Sequence, residues 1–142
     1  MVDTVQVIYN IFDQSPDDQL FPLCQKENVG IIVRVPLDEG SLTGKLTLET
    51  KFDENDFRNE YFNPKILPEV IQKVKNIEPI LKSNATSMAV GALQFALSPH
   101  AVSTVICGIR NPEQAKENCS ASHEKSLTTE TLALLKKHRW IR

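Results

Sequence analysis

The chain has 142 residues, enough for one ordinary domain. Hydrophobic residues make up 41% and charged residues 24%, which excludes a disordered or low-complexity chain. A net charge of −2 removes the electrostatic case for nucleic acid or an anionic membrane surface as partner. No apolar run approaches the ~20 residues that span a bilayer, and the opening Met-Val-Asp-Thr-Val does not read as a signal peptide. Cys24, Cys107 and Cys119 are odd in number and lack CxxC spacing. That pattern predicts reduced thiols in a cytoplasmic protein, with neither a disulfide frame nor a metal site.

Val5 to Phe12 is rich in β-branched and aromatic residues and predicts a strand. Ser15-Pro16-Asp17-Asp18 then reads as a helix start. Ser15 is the cap, Pro16 suits the first helical position, and the aspartates face the positive end. Leu20, Leu23 and Cys24 supply an apolar side, and Asn28-Val-Gly30 ends the helix. Gly30 to Leu37 is nearly continuous in hydrophobic residues, which predicts a parallel strand buried on both faces. A long polar stretch follows, from Asp38 to about Asn63, with Asp56-Phe-Arg58 inside it; loops of this length are usually functional.

Val70, Ile71, Val74, Ile77 and Leu81 recur at helical spacing, predicting a helix from Leu67 to about Asn84. A more apolar helix runs from Thr86 to Leu97. Val102 to Ile106 is a third strand, and helices follow at Asn111 to about Ser122 and at Thr128 to His138. Strands alternating with helices predict an α/β fold with parallel pairing, organised as a single domain over residues 1–142.

The third strand runs into a glycine turn, an arginine and a helix start: Ile106-Cys-Gly-Ile-Arg-Asn-Pro-Glu-Gln-Ala-Lys-Glu-Asn118. Helix N-termini offer unpaired N–H groups and the positive end of a dipole, and Arg110 adds a forked cation at that point. Gln114, Glu117 and Asn118 share one helix face. The spacing admits two readings, a ligand-facing set or a solvated face with an ordinary Asn111 cap. Tyr9 is equally open between a packing residue and a ring platform. Arg58 pairs either with a phosphate or with Asp53, Glu54 or Asp56. His138 lies where it would complement a helix C-terminus, and Trp140 is expected to anchor the tail by burial.

Three segments in this order resemble one known family. Val5-Gln-Val-Ile-Tyr-Asn10, Val35-Pro-Leu-Asp-Glu-Gly-Ser-Leu-Thr-Gly-Lys45 and Ile106 to Asn118 are similar to the C-terminal part of the aldo-keto reductases, above all their bacterial members. Asp56-Phe-Arg58 and the Met88–Leu97 helix share the likeness, which covers essentially the whole chain. The combination is specific, whereas any one piece is weak. The resemblance implies an eight-stranded β/α TIM barrel that uses NADP(H) to reduce aldehydes or ketones. This chain resembles its last three β/α units, six to eight: a partial barrel of three parallel strands with covering helices. Three strands cannot close an eight-stranded barrel. The open sheet is therefore expected to be covered by helices, by a homo-oligomer or by the missing N-terminal barrel half.

The resemblance also implies site residues. Tyr9 would stack on the nicotinamide. Pro36, Leu37, Gly40, Leu42 and Lys45, with Gly44, would fold over the pyrophosphate. Gly108, Arg110, Gln114, Glu117 and Asn118 would hold the adenosine end, Arg110 meeting the 2′-phosphate. Val35 stands where many relatives have serine, and Cys107 replaces a usual proline. The family's catalytic aspartate, tyrosine, lysine and histidine come from earlier strands with no counterpart here. The expectation is a cofactor-binding portion with no catalytic residue of its own, inactive alone; a non-catalytic NADPH-binding or oligomeric structural module is the alternative.

Overall fold

The computed structural model describes residues 2–141. The described helices and strands are β1 (Thr4–Ile8), α1 (Leu20–Lys26), β2 (Gly30–Arg34), α2 (Arg58–Tyr61), α3 (Leu67–Lys82), α4 (Met88–Leu97), β3 (Val102–Val105), α5 (Pro112–Ser120) and α6 (Thr129–Lys136). The three strands form one parallel sheet in the order β1-β2-β3.

Register explains which face is covered. Val5 pairs with Ile31 and Val7 with Val33. Ile31 and Val33 are fully buried, and Val5, Val7, Val102 and Val105 pack against the same core. The alternate residues Gln6, Ile32, Arg34 and Thr104 lie on the other face, where Ile32 is half-buried and the other three are exposed. The expected burial of β2 on both faces is therefore corrected: the helices cover one side only. The register between β2 and β3 shifts at Ile31/Ile32. There Ser103 Oγ accepts a hydrogen bond from the Ile31 amide at 3.2 Å, satisfying a ladder donor with a side chain.

Helix α3 presents Val70, Val74, Ile77 and Leu81 to the core, while Ile71 is only half-buried. Helix α4 is buried from Met88 to Ala96 because it lies between the sheet and its neighbours. Ser87 Oγ caps it by accepting from the Val90 amide at 3.1 Å. Gly91 permits the α3–α4 approach, since a Cβ there would lie 2.8 Å from Leu81 Cδ2 and 3.1 Å from Ala85 Cβ.

Two N-terminal expectations change. β1 stops at Ile8 because Asn10 folds the chain: its Oδ1 accepts from the Phe12 and Asp13 amides, both at 2.9 Å. Ser15 does not cap a helix. Its amide and hydroxyl both donate to Asp13 Oδ1, at 3.1 and 2.6 Å, and a single 3-10 turn (Ser15–Asp17) follows. Helix α1 starts later and buries Phe21 and Cys24, leaving Leu23 54% exposed.

The C-terminal segment returns to this region. The Trp140 amide donates to the Phe12 carbonyl at 2.8 Å, and the indole meets the Phe12 ring edge-on at 5.7 Å. Arg139 grips Asp18 with two bonds of 2.7 and 2.5 Å. Burial, aided by Lys73, lowers the pKa of His138, which follows α6 and whose amide donates to the Leu135 carbonyl at 3.0 Å. No described helix is long and apolar enough to cross a membrane.

Gly91→Ala should cost about 1–3 kcal/mol through overpacking, read as a lowered midpoint in thermal denaturation. Gly108→Ala, with nothing within 4 Å of the added carbon, should leave that midpoint unchanged.

Candidate functional site

The strands end together at one rim of the sheet, where parallel β/α folds place their ligand-binding loops. The segment after β2 turns sharply there. Val35, Asp38 and Glu39 adopt left-handed backbone angles of 54°, 47° and 54°, followed by Gly40 at 104° and Gly44 at 73°. A β-branched residue in that region costs about 1–2 kcal/mol, so surrounding bonds must hold Val35. Its carbonyl accepts from Asn10 Nδ2 at 3.0 Å and from the Asp38 amide at 3.1 Å. Asp38, 2% exposed, accepts from Ser41 Oγ at 2.5 Å and from the Tyr61 hydroxyl at 2.7 Å. Gly44 passes so close to α4 that a Cβ would lie 2.5 Å from Met88 Sδ. Nothing in the spacing of Asn10, Asp38, Ser41 and Tyr61 announces this polar lock, and sequence reasoning missed it.

The loop residues named from resemblance divide into two groups. Pro36 and Leu42 are buried and serve packing. The Gly40 and Leu42 amides donate to the Leu37 carbonyl at 2.9 and 3.2 Å, and the Gly44 amide to Ser41 at 3.1 Å. These N–H groups are engaged within the loop and do not form an open phosphate nest. Gly40 and Leu37 are half-buried, Leu37 packing against the core, and Lys45 is exposed with no ion pair among the described residues.

Asp56 and Arg58 settle the open question about the arginine: it pairs with Asp56. Arg58 Nε lies 3.0 and 3.1 Å from the two carboxylate oxygens and Nη2 lies 2.5 Å from Oδ2. The guanidinium also rests 4.5 Å above the Phe52 ring. Arg58, with the smallest contribution from Arg110, holds the Asp56 carboxyl at about 2. Glu39 shifts upward, first through burial and then through Asp38, with Arg58 and Arg34 opposing.

Beyond β3, Asn111 Oδ1 caps α5 by accepting from the Gln114 amide at 2.8 Å, with Pro112 at the first helical position. Gln114 and Asn118 do share a face, and both act on the preceding loop. Gln114 Oε1 accepts from the Arg110 amide at 2.7 Å, and Asn118 Nδ2 donates to the Gly108 carbonyl at 3.3 Å. Glu117 is half-buried beside them. Arg110 stands out from the braced loop, exposed and without an ion pair among the described residues. Cys107 packs against Val90, Leu93 and Ala121, and burial raises its thiol pKa.

Tyr9 lies elsewhere. It is fully buried, stacked 5.6 Å from Phe95 and tilted 4.9 Å from Phe21, with its hydroxyl donating to Asp17 at 3.1 Å. Neighbouring aromatic rings occupy its contact surface, so Tyr9 packs here as a core tyrosine. No group of three or more His, Cys, Asp or Glu suited to a metal occurs among the described residues.

The sequence pattern of the aldo/keto reductase family matches residues 1–139. The chain belongs to the aldo/keto reductase family. It is 26% identical over 120 residues to an NADH-specific methylglyoxal reductase of Escherichia coli K12, covering 84% of this chain and 37% of that one. It is 28% identical over 139 residues to the L-glyceraldehyde 3-phosphate reductase of Escherichia coli O157:H7, covering 94% and 40%. The solved glycerol dehydrogenase of Gluconobacter oxydans superposes with a TM-score of 0.82 at 23% identity, covering 95% of this chain and 41% of that one. The aldo/keto reductase fold is thus shared over about two fifths of these proteins' lengths.

The Asp56–Arg58 pair gives a pH signature. The folded-state pKa of Asp56 is depressed to about 2, so its stabilisation is fully present above the ordinary carboxylate range and is lost as pH falls toward 2. Carboxyl NMR titration should place the Asp56 midpoint near 2, and Arg58→Gln should move it upward.

Proposed function

We propose that this aldo/keto reductase chain is the NADP(H)-binding portion of an oxidoreductase whose parent reaction reduces aldehydes or ketones. The observation that carries this reading is Arg110: exposed, without an ion pair among the described residues, and set before a nine-residue helix on a loop whose backbone Gln114 and Asn118 brace. A free guanidinium at a helix N-terminus suits a phosphate monoester. The donor set therefore fits the 2′-phosphate that distinguishes NADP from NAD, with Gly108, Gln114, Glu117 and Asn118 shaping the adenosine end. Gly40, Leu37 and Lys45 would border the pyrophosphate, Lys45 supplying charge, while Pro36 and Leu42 hold that loop from inside. The bound nicotinamide would supply the hydride.

The chain's own residues bind and orient rather than move a proton. Its two tyrosines are Tyr9 and Tyr61. Burial, followed by Asp17, pushes the Tyr9 hydroxyl well above its ordinary pKa, and Tyr61 donates to Asp38. Neither is poised as a general acid. We therefore read residues 1–142 as one cytoplasmic unit that lacks carbonyl reductase activity when alone.

A second reading rests on the sheet. β1 and β3 are its edge strands, and one face carries half-buried Ile8 and Ile32. Unpaired edges of this kind recruit further strands. Their partner is either a second copy or the remaining β/α units of a barrel, which would make the chain a cofactor-binding oligomeric module.

Titration with NADPH and NADH, followed by cofactor fluorescence, tests the first reading. NADPH should bind in the micromolar range, more tightly than NADH, and Arg110→Ala should weaken it about tenfold or more. Purified chain should show no carbonyl reduction near the usual ~1–10³ s⁻¹. Binding of neither nucleotide would overturn the cofactor assignment.

A further inference from the structure

The turn after β2 is pinned at three places. At its entry the Val35 carbonyl accepts from the Asn10 side-chain amide at 3.0 Å. At its exit Gly44 passes so close to Met88 that a Cβ has no room. Between them lies the crest, where Asp38, Glu39 and Gly40 have φ of 47°, 54° and 104°. Two of these three residues carry a Cβ in the left-handed region, so the crest relaxes unless a group outside it holds on.

Tyr61 is that group. Its hydroxyl donates to Asp38 Oδ1 at 2.7 Å across 23 residues of chain. Ser41 bonds the other carboxylate oxygen, but it belongs to the same turn and moves with it. Tyr61 stands on α2, which is anchored. The next residue, Phe62, is buried; Phe52 stacks on it at 5.8 Å, and Arg58 lies over Phe52 while gripping Asp56. The Tyr61 ring meets Phe62 edge-on at 4.9 Å, so packing aims the phenol. The chain that leaves the turn after Gly44 thus comes back through α2 to hold it.

We propose that Tyr61 is a positioning residue for dinucleotide binding: its hydrogen bond to Asp38 preorganises the left-handed crest, Asp38–Gly40, that borders the pyrophosphate. This inference rests on the cofactor assignment above. A loop held in its binding geometry before the ligand arrives loses less conformational freedom on binding. Without the phenol hydroxyl the crest samples ordinary backbone angles, and binding must restore the left-handed ones. The pyrophosphate is common to NADPH and NADH, so the effect falls on both alike. Arg110, which meets the 2′-phosphate, acts on NADPH alone.

The test measures NADPH and NADH affinity on the purified chain. Tyr61→Phe keeps the ring and removes only the hydroxyl. It should weaken both nucleotides by the same factor, about three- to tenfold. In the nucleotide-free chain, amide hydrogen exchange should speed up across Asp38–Gly44 and stay unchanged in β1 and β2. Rescue separates positioning from a general loss of packing. Glycine adopts left-handed angles without steric cost. Glu39→Gly added to Tyr61→Phe should therefore recover affinity that Glu39→Gln, which removes the same charge and keeps the Cβ, does not. Unchanged affinity in Tyr61→Phe, a loss confined to one nucleotide, unchanged exchange at the crest, or equal recovery with glycine and glutamine would overturn the proposal. A wild-type chain that binds neither nucleotide overturns the cofactor assignment, and with it the part of Tyr61 in binding; faster exchange in Tyr61→Phe would then show only that the phenol holds the turn.

Discussion

One-sided burial of the central strand organises this molecule. Ile31 and Val33 are sealed under the helices, and β1 and β3 are aligned to β2 through its ladder. Alternation then sends Ile32 and Arg34 to the opposite face. Parallel pairing brings the C-terminal ends of all three strands to one rim, so loops distant in sequence become neighbours. A one-residue slip of β2 would exchange Val33 for Arg34 in the core and dismantle the rim.

The rim is built from strain and polar locking rather than from apolar packing alone. Val35, Asp38 and Glu39 sit in backbone conformations that L-residues with side chains avoid. They persist because Asn10, Ser41 and Tyr61 tie the segment down and because Leu42 is buried in the core. Strain of this sort recurs at ligand-binding loops, where the surrounding fold over-determines an unfavourable geometry. The same economy operates after β3, where Gln114 and Asn118 brace the loop that presents Arg110. Gln114 and Asn118, expected to meet a ligand directly, spend these side-chain bonds on the backbone of that loop.

Family membership and the geometry of the chain point in compatible directions at different depths. The match over residues 1–139 assigns the family, and the superposition with a solved relative assigns the fold. The cofactor reading depends on Arg110 and its supports. One relative is an NADH-specific enzyme by name, so discrimination at the adenosine end has to be read from this chain's own residues.

Much of the architecture was legible in the sequence. The three strands, the α3 periodicity and the Asn111-Pro112 helix start depend on local alternation, spacing and capping chemistry. All three were found where the pattern put them, with strand ends trimmed by one to four residues. Tertiary structure decided the rest. Tyr9 looked the same in sequence whether it faced a ligand or the core, and only its packing between Phe95 and Phe21 made it a core ring. The 30–37 run looked like a strand buried twice over, but hydrophobicity counts residues without saying how many layers lie above them. Arg58 had several acidic neighbours in sequence, and the choice of Asp56 came from a turn that aligned the two groups. Sequence by itself determined the three strands and the longer helices, because these answer to near neighbours along the chain, whereas the Ser15 turn and α2 (Arg58–Tyr61) did not follow from it. The burial of each face and the partner of each charge were set only when distant segments met, because those depend on distances that spacing does not encode.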